Sequence, residues 1–399
     1  MNDEVPRALI RLEKVSAIVV NKRDVFVRPR IWMLCALGDE CINARHEIPA
    51  IYESVAEMAT NKTRATRHKY PHLLKIKSIF YLIKIKCISK VMRVLVTGGT
   101  GLVGRALCSI QDESITWIPV STKDADLKDL AQVRAMFVQH APIDGVVHLA
   151  ANVGGIFKHK HKPVEMIEDN LLINLNVVKT CHECNIQRLV CCLSTCIFPD
   201  PAPAYPITMD MIHAGPPHTS NEGYAYAKRL MEVQCRTYNQ AHGREYFCVV
   251  PPNIYGPGDN YNLIDAHVVP ALIHKCWTAK RNGAPLKVAG DGTPLRQFVY
   301  SDDLAKIIHW AYKEYTNYLR PVSGCPPDCE VSISDVVRAI VDAFGFTGPI
   351  EYDPAQPNGH LKKTVASDDL PHGIVFTPLK EGIQKSVDWF IEYKDSARC

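Results

Sequence analysis

The sequence predicts an α/β protein: a doubly wound parallel sheet of the Rossmann type, with a smaller C-terminal α/β region and a poorly ordered N-terminal extension. Three observations predict it. The apolar run Arg93–Thr97 leads directly into a glycine turn, Gly98–Gly104, and a helical pattern follows. Apolar strands then alternate with helices long enough to cross a sheet, which implies parallel strands covered on both faces. Beyond Pro251 prolines, glycines and polar residues cluster, the mark of a second, smaller region.

The elements read in order. Arg93–Thr97 is the first strand and Leu102–Ile110 opens the first helix. Thr116–Val120 is a second strand and Gly145–Ala150 a third. Val164–Cys184 has helical spacing. Arg188–Leu193 is a strand, Asn221–His242 a long helix and Tyr246–Val250 a strand. Further helical patterns lie near His267–Lys280 and Ser334–Phe344, with Ser332 or Ser334 as cap of the latter. Three regions follow: an extension over 1–91, a dinucleotide-binding domain over 92–253, and a mainly substrate-binding region over 254–399. Met92 directly precedes the first strand and reads as a natural start. The extension holds a short apolar patch, Ile31–Leu37, and a lysine-rich apolar alternation, Lys75–Lys90. A weakly ordered appendage is the favoured reading. A basic amphipathic segment at a membrane surface is the alternative.

Composition narrows the class. The 399 residues are 47% hydrophobic and 22% charged, an ordinary globular balance with room for one large core or two smaller ones. The net charge of +4 is concentrated in the extension, and the body is mildly acidic, so a basic nucleic-acid footprint is not expected. The 15 cysteines sit mostly in apolar runs such as Leu189–Cys196, as buried thiols do in a reducing compartment. Cys181 and Cys184 form a CxxC inside a helical pattern without a second pair, and Cys325 and Cys329 flank prolines, so no metal site is expected. No stretch reaches the roughly 18–20 apolar residues of a membrane span, and Met-Asn-Asp-Glu is not a secretory start. A cytoplasmic protein is the expectation.

The glycine turn carries the first chemistry. Gly98, Gly101 and Gly104 let the backbone turn tightly and approach a pyrophosphate, and Leu102 and Val103 open a helix whose free N–H groups face it. Ala150 ends a buried strand on the edge where ligands gather. After Val120, an NAD-binding protein would place an acid to hold the ribose hydroxyl. Here Ser121 and Lys123 come first, and a hydroxyl and an ammonium attract a 2′-phosphate, so NADP(H) is the expected cofactor. Asp126 follows, on the adenine side.

Tyr224 and Lys228 form YxxxK on one helix face, where the ammonium favours the phenolate and lets the tyrosine exchange a proton. Ser194 ends a buried strand, its hydroxyl available to a substrate carbonyl.

These residues stand within longer segments. TGGTGLVGRAL, HLAANVGG, LSTCIFP, GPPHTSNEGYAYAKR, NIYGPGDNYN, HVVPALIHK and GTPLRQFVYSDDLA resemble the GDP-L-fucose synthase family of extended short-chain dehydrogenase/reductases, from Met92 to near the C-terminus. The resemblance implies 3,5-epimerisation and NADPH-dependent 4-reduction of GDP-4-keto-6-deoxy-D-mannose. It implies that Cys196 and His267 are base and acid for the epimerisation, and that Tyr224 donates the proton for reduction. It further implies that Asn253 touches the sugar, and that Lys275, Arg296 and Lys363 hold the diphosphate. A homodimer is implied through the two long helices. Two positions depart from the pattern: Ala289 stands where the family usually has Trp, and Pro252 where it has Thr. The rival readings are a sugar-nucleotide 4-epimerase, a 4,6-dehydratase, and a cofactor-binding scaffold without catalysis.

Overall fold

In the computed structural model the described residues are 91–355, 362–367, 370–371 and 373–399. The readings made for residues 1–90 lie outside them. The chain runs β1 (Met92–Thr97), α1 (Leu102–Ser109), β2 (Ile115–Val120), α2 (Leu130–His140), β3 (Gly145–His148), α3 (Ile156–His161), α4 (Pro163–Glu183) and β4 (Arg188–Cys192). After short 3-10 turns come α5 (Glu222–His242), β5 (Glu245–Val250), β6 (Asn253–Tyr255), α6 (Val268–Asn282), β7 (Leu286–Ala289) and β8 (Leu295–Tyr300). Then follow α7 (Ser301–Glu314), β9 (Val322–Ser323), β10 (Glu330–Ser332), α8 (Ile333–Phe344), β11 (Ile350–Asp353) and α9 (Leu379–Tyr393).

The main sheet is six-stranded and parallel, in the order β2-β1-β3-β4-β5-β9. The direction of winding reverses between β1 and β3. That switch point is where a doubly wound sheet leaves a crevice at its carboxyl ends. The strands are continuous apolar runs because both faces are covered. Leu95, Val146, Leu189 and Cys191 pack toward α4 and α5 on one face. Val94, Val96, Val147 and Val190 pack on α1 and α7 on the other.

A second core gathers Tyr255, Tyr261 and the apolar faces of α6, α8 and α9, alongside a three-stranded sheet, β10-β8-β6, and a pair, β11-β7. Ser332 caps α8 in a capping box with Asp335. The division at residue 253 is crossed by the chain: after β8, α7 packs on the first core and β9 joins the first sheet. Residues 254–399 therefore supply both regions.

Candidate active site

The glycine turn has no room for side chains at Gly98 and Gly104. Gly98 has φ of +69°, and a Cβ there would lie 2.9 Å from the Ala150 nitrogen, so the turn and the end of β3 touch at the switch point. A Cβ on Gly104 would lie 2.6 Å from the Gly99 Cα, so α1 presses directly on the turn. Gly101 caps α1 without any side-chain bond, and no acid stands in its first turn. The leading N–H groups of α1 therefore face an anion with a favourable dipole and no competing carboxylate. This cradle fits a dinucleotide pyrophosphate.

At the end of β2 the Ser121 hydroxyl is engaged inside its own turn, donating to Asp124 Oδ2 at 3.0 Å and accepting from the Lys123 backbone at 3.2 Å. The Ser121 backbone holds the Asp124 carboxyl below its ordinary range, with help from that hydroxyl. Lys123 is exposed and carries the positive charge here. Asp126 accepts from the Lys128 backbone at 3.0 Å, a turn-closing bond at the surface.

Beyond β4 the chain stays extended, with Leu193 N bonded to Val249 O at 2.8 Å and Thr195 N to Pro251 O at 3.1 Å. Ser194 then caps a single 3-10 turn, its Oγ accepting from the Cys196 nitrogen at 3.3 Å. The Arg229 guanidinium of α5 pins that turn through the Ile197 carbonyl at 2.5 Å. Lys228, only 2% exposed, donates from Nζ to the Cys192 carbonyl at 2.7 Å and lies 5.7 Å from the centre of the Tyr224 ring. Ser194, Cys196, Tyr224 and Lys228 thus form one connected corner.

Burial governs the ionisation of this corner. It pushes the Tyr224 phenol well above its ordinary value, and the neighbouring Cys196 and Cys192 add to that. Burial thus favours the neutral phenol, a proton donor, while the Lys228 ammonium is bonded to the Cys192 carbonyl. Burial also raises the Cys196 thiol, against Lys363, the Ser194 hydroxyl, Lys228 and Arg229, which all favour the thiolate.

The opposite wall comes from the second region. Asn253 begins β6 and is exposed, with Nδ2 bonded to the Gln297 carbonyl at 2.9 Å. His267 precedes α6 in extended conformation. Its surface is open, yet protein crowds it on several sides, and that crowding, with Lys158 nearby, lowers the imidazole pKa. Lys363 interacts with Cys196 and Arg296, and burial lowers the basicity of both cations. Lys275 lies two turns along α6, about 12 Å from His267 at the usual helical rise. Ala289 ends β7 exposed, and Pro252 is buried.

Sequence reasoning missed four residues. His148 is buried between Thr97 Oγ1 at 2.7 Å and Asn174 Oδ1 at 3.2 Å, bracing the switch point. Arg229 pins the Cys196 turn, and its position directly after Lys228 was the available signal. Asp124 engages Ser121. His159 meets the Tyr224 ring edge-on, with centroids 5.5 Å apart. It was hidden in the run Lys158–Lys162, which reads as plain surface charge. Among the described residues no cluster of histidine, cysteine or acidic side chains is arranged to hold a metal ion.

A parallel sheet with a glycine cradle at its switch point and a Ser-Tyr-Lys corner defines a class, and comparison agrees: the chain belongs to the NAD dependent epimerase/dehydratase family, whose model matches residues 94–321. Within it the chain falls among the GDP-L-fucose synthases. It is 44% identical over 312 residues to the GDP-L-fucose synthase of Dictyostelium discoideum, which spans 76% of this chain and 97% of that relative. It is 43% identical over 320 residues to a probable GDP-L-fucose synthase of Drosophila melanogaster, spanning 77% and 99%. The crystal structure of a GDP-L-fucose synthetase from Naegleria fowleri bound to NADP superposes with a TM-score of 0.72 at 38% identity, covering 78% of this chain and 96% of that one.

Proposed function

We propose that this protein converts GDP-4-keto-6-deoxy-D-mannose to GDP-L-fucose by 3,5-epimerisation and NADPH-dependent 4-reduction. The observation that carries the reading is the connected corner of Ser194, Cys196, Tyr224 and Lys228 beside the glycine cradle, in a chain 44% identical to a GDP-L-fucose synthase.

When bound, NADPH would supply a hydride to carbon 4. Gly98, Gly101, Leu102, Val103, Gly104 and Ala150 would hold its pyrophosphate side. Lys123, with Ser121 in the same turn, would attract the 2′-phosphate, and Asp126 lies toward the adenine. Ser194 and Tyr224 hydrogen-bond the 4-keto oxygen. That polarisation acidifies the hydrogens on carbons 3 and 5. Cys196 removes each proton as thiolate; burial raises the thiol pKa, and Lys363, Ser194, Lys228 and Arg229 act against that rise. His267 returns a proton from the other face. Tyr224, a neutral phenol, then donates its proton to the oxygen on carbon 4, and Lys228 compensates the phenolate that remains. Asn253 contacts the sugar, and Arg296, Lys363 and Lys275 meet the diphosphate.

Two finer expectations belong to this reading. α4 and α5 pack side by side and leave Val164, Leu172, Leu175, Tyr226 and Leu230 exposed on their outer faces, an apolar stripe suited to a second copy of the chain and hence a homodimer. A cytoplasmic location accords with the free thiols of the described residues, among which no helix is long and apolar enough to cross a membrane.

Turnover tests the function directly. The purified chain should oxidise NADPH when given GDP-4-keto-6-deoxy-D-mannose, and Tyr224→Phe should cut that rate by about 10²–10⁴, the usual contribution of one acid–base group. No NADPH oxidation by the parent protein, or an undiminished rate in Tyr224→Phe, would refute it.

A further inference from the structure

His159 lies on α3, outside the corner that performs the proposed chemistry, yet a ring contact, an electrostatic influence and a loop tie relate it to that chemistry. Its ring meets Tyr224 edge-on, with centroids 5.5 Å apart and planes at 69°. The charge of His267 acts on it from the other wall. The loop leading into α3 is tied to the loop before His267, through Gly155 N bonded to the Asp265 carbonyl at 2.9 Å. His159 therefore stands between the group that protonates carbon 4 and the group that protonates its neighbours.

Its two nitrogens have different environments. The Gly154 backbone makes a hydrogen bond with the imidazole. Nδ1 is buried and has no hydrogen-bond partner. A buried unpaired nitrogen is costly, so its natural complement is a group that arrives with the ligand. Burial, followed by repulsion from His267, lowers the pKa to about 4. With Lys158 also adjacent, the ring is neutral at physiological pH, and its bare nitrogen is a hydrogen-bond acceptor.

The keto sugar offers one donor on the carbons beside its carbonyl. Of the two carbons flanking carbon 4, carbon 5 carries a methyl group and carbon 3 a hydroxyl. We propose that His159 is a specificity-determining residue, whose Nδ1 accepts a hydrogen bond from the hydroxyl on carbon 3 and so seats the sugar between Tyr224 and His267. The inference rests on the keto sugar being the substrate. No proton is transferred: the imidazole accepts a hydrogen bond throughout.

The test compares parent, His159→Leu and His159→Asn in steady-state NADPH oxidation between pH 6 and 8, with NADPH binding followed by fluorescence as a check on folding. Leucine removes the acceptor. kcat/KM for GDP-4-keto-6-deoxy-D-mannose should fall about tenfold, the scale of one lost hydrogen bond to a buried group, with NADPH affinity unchanged. Asparagine can place its carbonyl oxygen near the Nδ1 position and should recover activity to within about threefold. With the analogue lacking the hydroxyl on carbon 3, parent and His159→Leu should turn over alike. The proposal is overturned if His159→Leu matches the parent on the full substrate. It is also overturned if the leucine defect persists undiminished on the analogue, or if asparagine fails to rescue and a limb of the pH profile disappears, which would mark His159 as a proton-transfer group. No turnover by the parent would remove both this inference and the function it rests on.

Discussion

The corner carrying Ser194, Tyr224 and Lys228 and the wall carrying Asn253 and His267 differ in how their polar groups are held. In the corner, Tyr224 and Lys228 are 8% and 2% exposed, and backbone carbonyls of the β4 extension fix Lys228 and Arg229. On the opposite wall, Asn253 and His267 are exposed, and they ride on β6 and the start of α6, which belong to the second core. Hydride transfer tolerates little displacement between donor and acceptor. Epimerisation asks instead that one sugar be reached from two faces while its ring changes shape. On the proposed reading the buried corner supplies Tyr224 and Lys228 for reduction together with Cys196, and the more open wall supplies His267 as the partner of Cys196 in epimerisation.

Perturbing each region should therefore give separate signatures. Gly104→Ala strikes the rigid side. The added methyl would press on the Gly98 carbonyl and on the Gly99 Cα at 2.6 Å, and backbone cannot move aside cheaply. A loss of about 3 kcal/mol, at the upper end for an overpacked core site, should appear as a lowered thermal midpoint. NADPH affinity should fall with it. An unchanged midpoint and unchanged NADPH affinity would show that the cradle is looser than its geometry implies.

A pH-dependent effect lies in the second region. Asp259 is buried beside Arg105 and Arg398, with Oδ1 accepting from the Asn260 nitrogen at 2.7 Å and Oδ2 unpartnered. Burial raises its pKa to about 7, against the backbone bond and the two arginines. The folded pKa exceeds the unfolded one, so the stability this group contributes is fully present below about pH 4. It falls as pH rises and is gone above about pH 7. Asp259→Asn keeps the shape without the charge. Between pH 4 and 7 the parent should lose about 4 kcal/mol relative to the variant, with the difference constant above pH 7. Denaturant unfolding at several pH values measures it, and parallel pH profiles for the two proteins would contradict the assignment.

Sequence legibility follows the same divide. The glycine turn, Ser194, Tyr224 and Lys228 were readable because each is fixed by local pattern: a strand end, a tight turn, a helical spacing of four. The helix α2 was overlooked, although Asp129 caps it by accepting from Ala131 N at 2.8 Å. β9 has only two residues, and its return to the first sheet depends on α7 covering the first core, a tertiary outcome with no short-range signature. The bonding of Lys228 is legible only in the fold for a related reason. Spacing brought Lys228 to the same helix face, but only the fold shows its ammonium bonded to the Cys192 carbonyl. His159 was invisible because a histidine between lysines looks like solvent-facing charge until α3 is folded against Tyr224.

The central claim of the proposed function is that Cys196, with His267, serves epimerisation while Tyr224 and Lys228 in the same corner serve reduction. It is tested most directly by the ratio of hydrogen exchange at carbons 3 and 5, measured in deuterium oxide, to NADPH oxidation. Cys196→Ser replaces the thiol with a much weaker acid of similar size and should lower exchange by about 10² or more while NADPH still binds. Tyr224→Phe should shift the ratio the other way, with reduction falling further than exchange. If Cys196→Ser exchanged both hydrogens at the parent rate, Cys196 would be one more buried thiol, and the division of labour would be wrong.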